Sequence, residues 1–442
     1  MTTDAQLAGL TDNAPPDRAP PDRVPPDQVQ PIAAGDTQRL ASLDFIRGIA
    51  VMGILWANIV AFGQPFAAYM YPDAFIVPHS DAEDWMWVAQ FVLIDGKMRG
   101  LFTLLFGAGM MLFMEKAWAR GQGRGLQARR LFWLMLFGLL HYFLIWRGDI
   151  LFSYAVCGFV ALAFLRMEAH KQLVLGLLGY VAGAILYGAM MAPLTLAADT
   201  PMGEEGGALE MVAPSLEEGK QIALDDGAVQ TELIRGGDYG DYVAHMVGTH
   251  AADLGFFIFI WLFETLPLML VGMALYRMGL FSGGFDPGRQ RMWGWIGLLG
   301  GGAVSLLIGL WVRDNGFTYY GTQAAMVGFS FLPRLPMVLG LAALLSLAAP
   351  HAAGWLGSRV SAAGRAAFTN YLGTSAVMML LFHGWGLGQF GELGRTELYG
   401  VALLGCAAML AWSAPWLARF RYGPLEWLWR CLTYGKLFPL RR

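Results

Sequence analysis

Residues 42–61 read Ser-Leu-Asp-Phe-Ile-Arg-Gly-Ile-Ala-Val-Met-Gly-Ile-Leu-Trp-Ala-Asn-Ile-Val-Ala. About twenty largely apolar residues in a row match the ~30 Å hydrocarbon core of a bilayer. Asp44 and Arg47 open the segment. Charges are expensive to keep beside lipid, so such a pair marks a site or a topology anchor. Asn58 follows Arg47 by eleven residues, close to three helical turns, which puts the two side chains on nearly one face, roughly 16 Å apart. One polar stripe thus runs from the helix end to about mid-bilayer.

Runs of this kind recur along the whole chain. Of 442 residues 56% are hydrophobic and 14% charged, and the mean hydropathy is +0.47, far from soluble globular usage. The fold expected is all-α, a polytopic transmembrane helical bundle of about ten spans. They lie near 43–62, 99–115, 131–146, 150–165, 172–197, 252–277, 292–311, 323–348, 365–383 and 398–418. Residues 85–95 are too short to span and rich in Trp, which suits an interfacial or re-entrant helix. The net charge of −3 gives no basic surface for nucleic acid. Cys157, Cys406 and Cys431 show no metal-like spacing and read as packing residues.

Positive charge sets the expected direction. With the N-terminus inside, 22 Lys and Arg fall on the inner side and seven on the outer, with Arg334 alone inside a span; this excess favours N-in and C-in. Residues 1–38 repeat Pro-Pro-Asp and lack the apolar core of a signal peptide, which predicts a disordered Pro-rich cytoplasmic tail. Residues 39–442 form a single transmembrane domain. It includes an acidic extracytoplasmic loop at 198–250, read as solvated with an amphipathic helix or as a cap on the outer face, and a basic cytoplasmic tail at 419–442.

Polar residues inside such a chain are the candidate site. His141 closes the third span and Asp149 tops the fourth. A neutral histidine serves as a general base when an acid fixes its tautomer; Asp149 suits that role and also an N-cap, while His141 suits an interhelical hydrogen bond equally well. Lys97 and Arg99, before the second span, are either headgroup anchors or holders of an anionic group or oxyanion. Arg334, between Pro333 and Pro336, predicts a broken helix whose freed carbonyls the guanidinium satisfies. Arg365 and Asn370, with Arg47 and the basic 116–130 segment, form an inner cationic group fit for a phosphorylated ligand. His79 reads as a surface histidine of the first outer loop.

No phosphate-binding Gly-Lys-Ser/Thr loop, Gly-x-Ser-x-Gly elbow or His-Glu-x-x-His pair occurs in the sequence. The motifs that do occur are the opening stretch with Asn58, Leu-Phe-Gly-Ala-Gly-Met at 105–110, His141 with Trp146-Arg-Gly-Asp-Ile-Leu, Gly-Arg-Ala-Ala-Phe-Thr-Asn-Tyr-Leu at 364–372 and Tyr-Gly-Pro-Leu-Glu-Trp-Leu-Trp-Arg at 422–430. In this order they resemble the YeiB family of bacterial inner-membrane proteins, a domain of unknown function. The opening helix is also distantly similar to membrane acyltransferases, the acyltransferase-3 and heparan-alpha-glucosaminide N-acetyltransferase groups. That resemblance implies transfer of an acyl group from cytoplasmic acyl-CoA to a hydroxyl or amine of a glycan or lipid acceptor. The acyltransferase-3 pattern places a catalytic His where this chain has Asn58. Asn is no base at neutral pH, so the base is sought at His141.

The leading expectation is therefore an acyl-CoA-dependent membrane acyltransferase of the bacterial inner membrane, with no tightly bound cofactor. Arg47 and Arg365 hold donor phosphates, Asn58 positions the acyl carbonyl, and His141 with Asp149 deprotonates the acceptor. The alternatives are a transporter of a small anionic or amphipathic solute, and a sensor or assembly partner acting through the 198–250 segment.

Overall fold

The computed structural model describes residues 41–442; the expected N-terminal tail at 1–38 lies outside the described residues. Within them the chain forms sixteen α-helices and no β-strand, with one isolated bridge between Phe420 and Arg441. In chain order they are α1 (Ala41–Gly63), α2 (Asp81–Leu93), α3 (Lys97–Trp118), α4 (Arg124–Leu144), α5 (Leu151–Ala161), α6 (Ala169–Asp199), α7 (Ala213–Gly236) and α8 (Tyr239–His250). The second half continues with α9 (Asp253–Arg277), α10 (Pro287–Asp314), α11 (Tyr319–Gln323), α12 (Phe331–Ala348), α13 (Trp355–Arg365), α14 (Ala367–Phe382), α15 (Arg395–Arg419) and α16 (Pro424–Tyr434).

Among the described residues seven helical stretches are long and apolar enough to cross a membrane: α1, the Asp81–Trp118 stretch of α2 and α3, α6, α9, α10, Phe331–His351 and α15. Two shorter apolar helices, Leu151–Phe164 and Ala367–Phe382, lie among them. The remaining expected span is α4, whose apolar part begins only at Leu131 because Arg124, Arg129 and Arg130 occupy its first turns. The bundle is thus all-α and polytopic, and its short helices matter. An 11-residue α5 covers about 16 Å at 1.5 Å per residue, which leaves its head, with Asp149, inside the bundle. Trp146, in the turn before α5, donates from Nε1 to the Ala61 carbonyl at the end of α1 (3.3 Å).

α1 is the axis of the bundle, packed against α3, α13, α14 and α15. Its closest approach is to α13. A Cβ on Gly48 would run into the Val360 carbonyl, and one on Gly364 into the Asp44 carbonyl. The two quoted motifs, Arg47-Gly48 and Gly364-Arg365, therefore interlock through their glycines, and small residues are what lets membrane helices approach this closely. α3 and α9 repeat the device with Gly107 against Met269 and Gly272 against Leu104.

Other segments differ from their expected form. Residues 198–250, expected as a loop with one amphipathic helix or as a cap, hold two helices: after a short 3₁₀ turn, α7 and α8 fold as a helical pair over the bundle. The 419–442 segment is not a free tail, because α16 lies against α4 and α14, with Arg130 stacked over the Trp429 ring (4.3 Å). The helix break near Arg334 falls before the prolines. Residues Ala324–Phe329 form a π-helical turn, and α12 then runs through Pro333 and Pro336.

Gly364→Val places a branched side chain where only backbone fits. Overpacking of this kind costs about 1–3 kcal/mol or more. The variant's thermal unfolding in detergent is expected well below the wild-type temperature; an unchanged melting point would mean α1 and α13 are not in backbone contact.

Candidate functional site

Two roomy cavities are found among the described residues. The smaller, of about 260 Å³, is lined by Arg47, Lys116, Arg130, Arg365 and Arg430, with Asp44 and Glu426 as its acids. All five cations come from segments whose charge the sequence assigns to the inner side. Asp44 is bonded to Arg47 (3.1 Å). Glu426 accepts from the Phe368 and Thr369 N–H groups (2.8 and 3.1 Å) and from the Thr369 hydroxyl (2.5 Å), capping the start of α14. Lys116, Arg130, Arg430 and Glu426 carried no individual role in the sequence reading. Arg430 and Glu426 do stand in the quoted 422–430 motif, and their shared side of an amphipathic helix is the signal that marks them.

The larger cavity, about 620 Å³, lies on the other side, beneath α7 and α8. Asn58, Asp95, Arg99, Arg147 and Arg334 line it, together with Asp226, His250, Asp253 and Glu264. Tyr69, Trp146, Tyr187, Trp261 and Phe331 give it an aromatic wall. Its charged centre joins three helices. Glu264 of α9 accepts from Arg334 Nη1 (2.9 Å) and is bonded to Arg99 by its other oxygen. Arg334 Nη2 also reaches the Met326 carbonyl in the π-helical turn and the Ser330 hydroxyl, both at 2.9 Å. Gly96 adopts φ 71°, and a Cβ there would strike the Arg334 guanidinium. Sequence reasoning passed over Glu264. A lone acid inside Trp-Leu-Phe-Glu-Thr-Leu-Pro is an intramembrane charge, which by itself marks a site.

A single layer of side chains parts the cavities. Tyr154 lines the basic one, and its hydroxyl reaches the carbonyl of Arg99, which lines the wide one (3.1 Å). Tyr371 lines the basic one, and its hydroxyl accepts from the N–H of Ile150, which lines the wide one (3.2 Å). His141 and Asp149 line neither cavity and have fully buried side chains, with His141 beside Tyr371 of the basic cavity's wall and Trp146 of the wide one's. His141 Nδ1 is 2.7 Å from Asp149 Oδ2, while Asp149 Oδ1 accepts from the Phe152 N–H at the head of α5 (2.8 Å). One carboxylate thus orients the imidazole and caps the helix. His141 Nε2 is buried without a hydrogen-bond partner among the described residues. The imidazole is 5.3 Å from the Tyr371 ring and 6.3 Å from the Trp146 ring, centroid to centroid.

Two of the sequence-proposed ligand-binding residues line neither cavity. Lys97 Nζ donates to the Phe91 carbonyl (2.5 Å) and is buried beside that ring, which ties α2 to α3. Asn370 donates to the Ala363 carbonyl (3.0 Å) and Ser413 (3.2 Å) and accepts from Trp412 (2.8 Å), joining α13, α14 and α15. His79 is no freely solvated surface histidine. Its Nδ1 faces Asp84 (2.8 Å) and its Nε2 accepts from Arg395 (3.1 Å), and burial with the Arg395 charge pulls its pKa down.

A family described as a protein of unknown function, DUF418, matches residues 275–436. Over 419 residues the chain is 30% identical to the uncharacterized protein YeiB of Escherichia coli (strain K12), covering 91% of this chain and 98% of that one. The chain belongs to the YeiB-like DUF418 family. It is 28% identical to the uncharacterized protein YxaH of Bacillus subtilis (strain 168), over 92% of this chain and 96% of that one. It is also 26% identical to an uncharacterized 39.9 kDa protein of Bacillus acidopullulyticus, over 91% and 96%. This DUF418 member is thus a multi-pass membrane protein with bacterial relatives. Membership brings no acyltransferase activity with it.

Breaking the charged centre has a defined cost. Glu264→Ala takes the carboxylate from the buried Arg334 guanidinium and the half-buried Arg99 one, and breaking a buried pair from one side costs roughly 3–5 kcal/mol. Thermal unfolding in detergent should show a large loss for this variant, and a smaller one when Arg99→Met and Arg334→Met accompany Glu264→Leu. Equal melting of Glu264→Ala and wild type would disprove the pairing.

Proposed function

We propose that this DUF418 member is a membrane acyltransferase of the bacterial inner membrane, its basic cavity facing the cytoplasm. Acyl-CoA is the donor, and a hydroxyl or amine of a glycan or lipid in the wide cavity is the acceptor. The observation that carries the reading is the one-residue layer between an electropositive cavity and an aromatic one, with a buried His–Asp pair beside it. Phosphates are recognised by clustered guanidinium and ammonium groups, and Arg47 and Arg365 stand in the cavity that has them. The acyl chain then points at the layer, while Asn58 on the far side has an amide to offer the carbonyl.

The His141–Asp149 bond favours the tautomer with the proton on Nδ1, which leaves the Nε2 lone pair free to act as base. In the step proposed, the acceptor oxygen or nitrogen attacks the thioester carbonyl while Nε2 takes its proton. The C–S bond then breaks, and the departing CoA thiolate receives that proton. His141 is one side chain from either cavity, so Tyr371 or Trp146 must turn aside to admit the substrate.

Transport of an anionic solute is the second reading. It is favoured by the same thin layer and by the broken helix at 324–329, since paired cavities and interrupted helices also serve alternating access.

Thermal unfolding of the purified protein with acetyl-CoA, longer acyl-CoAs and free CoA separates the two. Binding to the folded state alone adds ~2.7 kcal/mol at a hundredfold excess over Kd. Acyl transfer requires a CoA-dependent rise that Arg47→Ala loses and His141→Ala keeps, with thiol release from acyl-CoA in vesicles lost in His141→Ala. No rise with any CoA species favours transport, and thiol release retained in His141→Ala removes that residue as the base.

A further inference from the structure

The α7–α8 cap carries a cluster that acyl transfer does not use. Asp226 on α7, His245 and His250 on α8 and Asp253 at the head of α9 meet at the rim of the wide cavity. One ligand atom each from Asp226, His245 and His250 lie within 4.8 Å of one another. His250 Nε2 is 3.1 Å from Asp226 Oδ1, and His245 Nε2 is 3.9 Å from the same oxygen. Zinc bonds of about 2.0–2.1 Å in tetrahedral array put ligand atoms ~3.3 Å apart, so small adjustments complete the set.

Each donor is also held from behind. His250 Nδ1 faces Asp253 Oδ2 (3.0 Å), His245 Nδ1 faces the Thr249 hydroxyl (3.3 Å), and Arg147 donates to the second oxygen of Asp226 (2.6 Å). A carboxylate on the far nitrogen of a histidine is the usual outer partner of a metal ligand, because it fixes the tautomer and raises basicity. An ion-pair network alone accounts for Arg147, Asp226, His250 and Asp253. It leaves His245 Nε2 buried with no hydrogen-bond partner among the described residues, and a metal ion gives that lone pair its use.

We propose that Asp226, His245 and His250 form a binding site for a zinc-class divalent cation that locks the α7–α8 cap over the wide cavity. Two imidazoles and one carboxylate favour zinc over magnesium or calcium, which prefer all-oxygen sets. The cation takes the place of the proton between His250 and Asp226. Arg147 does not oppose it alone, since its charge is shared between Asp226 and Asp253 (2.6 and 2.7 Å). Asp226 and His250 line the cavity, which puts the cation in its wall. The site is independent of acyl transfer by the bundle.

The test uses the full-length detergent-purified protein, stripped with chelator and titrated with Zn²⁺, Co²⁺ and Mg²⁺ in a calorimeter. One equivalent of Zn²⁺ should bind, Co²⁺ should give the intense visible bands of a four-coordinate site, and Mg²⁺ should not compete. His245→Ala removes a donor that holds no close ion pair, so the metal-free protein should melt as wild type does while zinc binding is lost. Asp253→Asn should weaken zinc by about tenfold to a hundredfold. No zinc bound by the wild type, or equal binding by His245→Ala, overturns the site and leaves an ion-pair network only.

Discussion

The backbone contact of α1 with α13 is the constraint on which the rest of this molecule depends. Gly48 and Gly364 each lie where a side chain would meet the partner's carbonyl. No hydrophobic gain separates helix–helix from helix–lipid contact in a bilayer, so close packing of small residues supplies the attraction. The flanking arginines are placed by it. Arg47 follows α1 and Arg365 follows α13 onto one cavity wall, and neither position survives if the helices part. The glycines therefore do for charge placement what loops do in soluble enzymes.

The second constraint is the cost of a polar group without a partner in a low-dielectric interior, which the charged groups of the bundle meet by pairing across helices. Glu264 answers two arginines from two other helices, and the π-helical turn at 324–329 offers a carbonyl to one of them. Asp149 answers both an imidazole and a helix N-terminus. Several other polar groups, Asn58 and Asp95 among them, line the wide cavity. The short α5 and α14 help create that space, because helices that stop early leave room that lipid or protein would otherwise fill.

The cap formed by α7 and α8 belongs to a different regime. It is acidic and half-exposed, and it closes on the bundle through Arg147, which bonds Asp226 of the cap and Asp253 of α9. Burial alone would raise the Asp226 carboxyl, but hydrogen bonds and charge from His250 and Arg147 hold its pKa near 2. The wide cavity thus has a floor of largely apolar helices and a charged roof, joined by ion pairs.

Hydropathy and charge asymmetry were enough to read the all-α bundle and to single out Arg47, Asn58, Arg99, Arg334 and Arg365, each of which lines a cavity. Those signals are local: a twenty-residue apolar run needs no partner to declare itself. The sequence could not show that Lys97 and Asn370 spend their polar groups on backbone and neighbouring helices, nor that Glu264 meets arginines 165 and 70 residues away. It could not show the back-to-back cavities, the placing of His141 between them, or the meeting of Asp226 with His245 and His250. Which residues are charged and which segments enter lipid is written in composition and period. Which charges meet is decided by helix packing, because a helix presents a face to its neighbours and only the assembled bundle determines who those neighbours are.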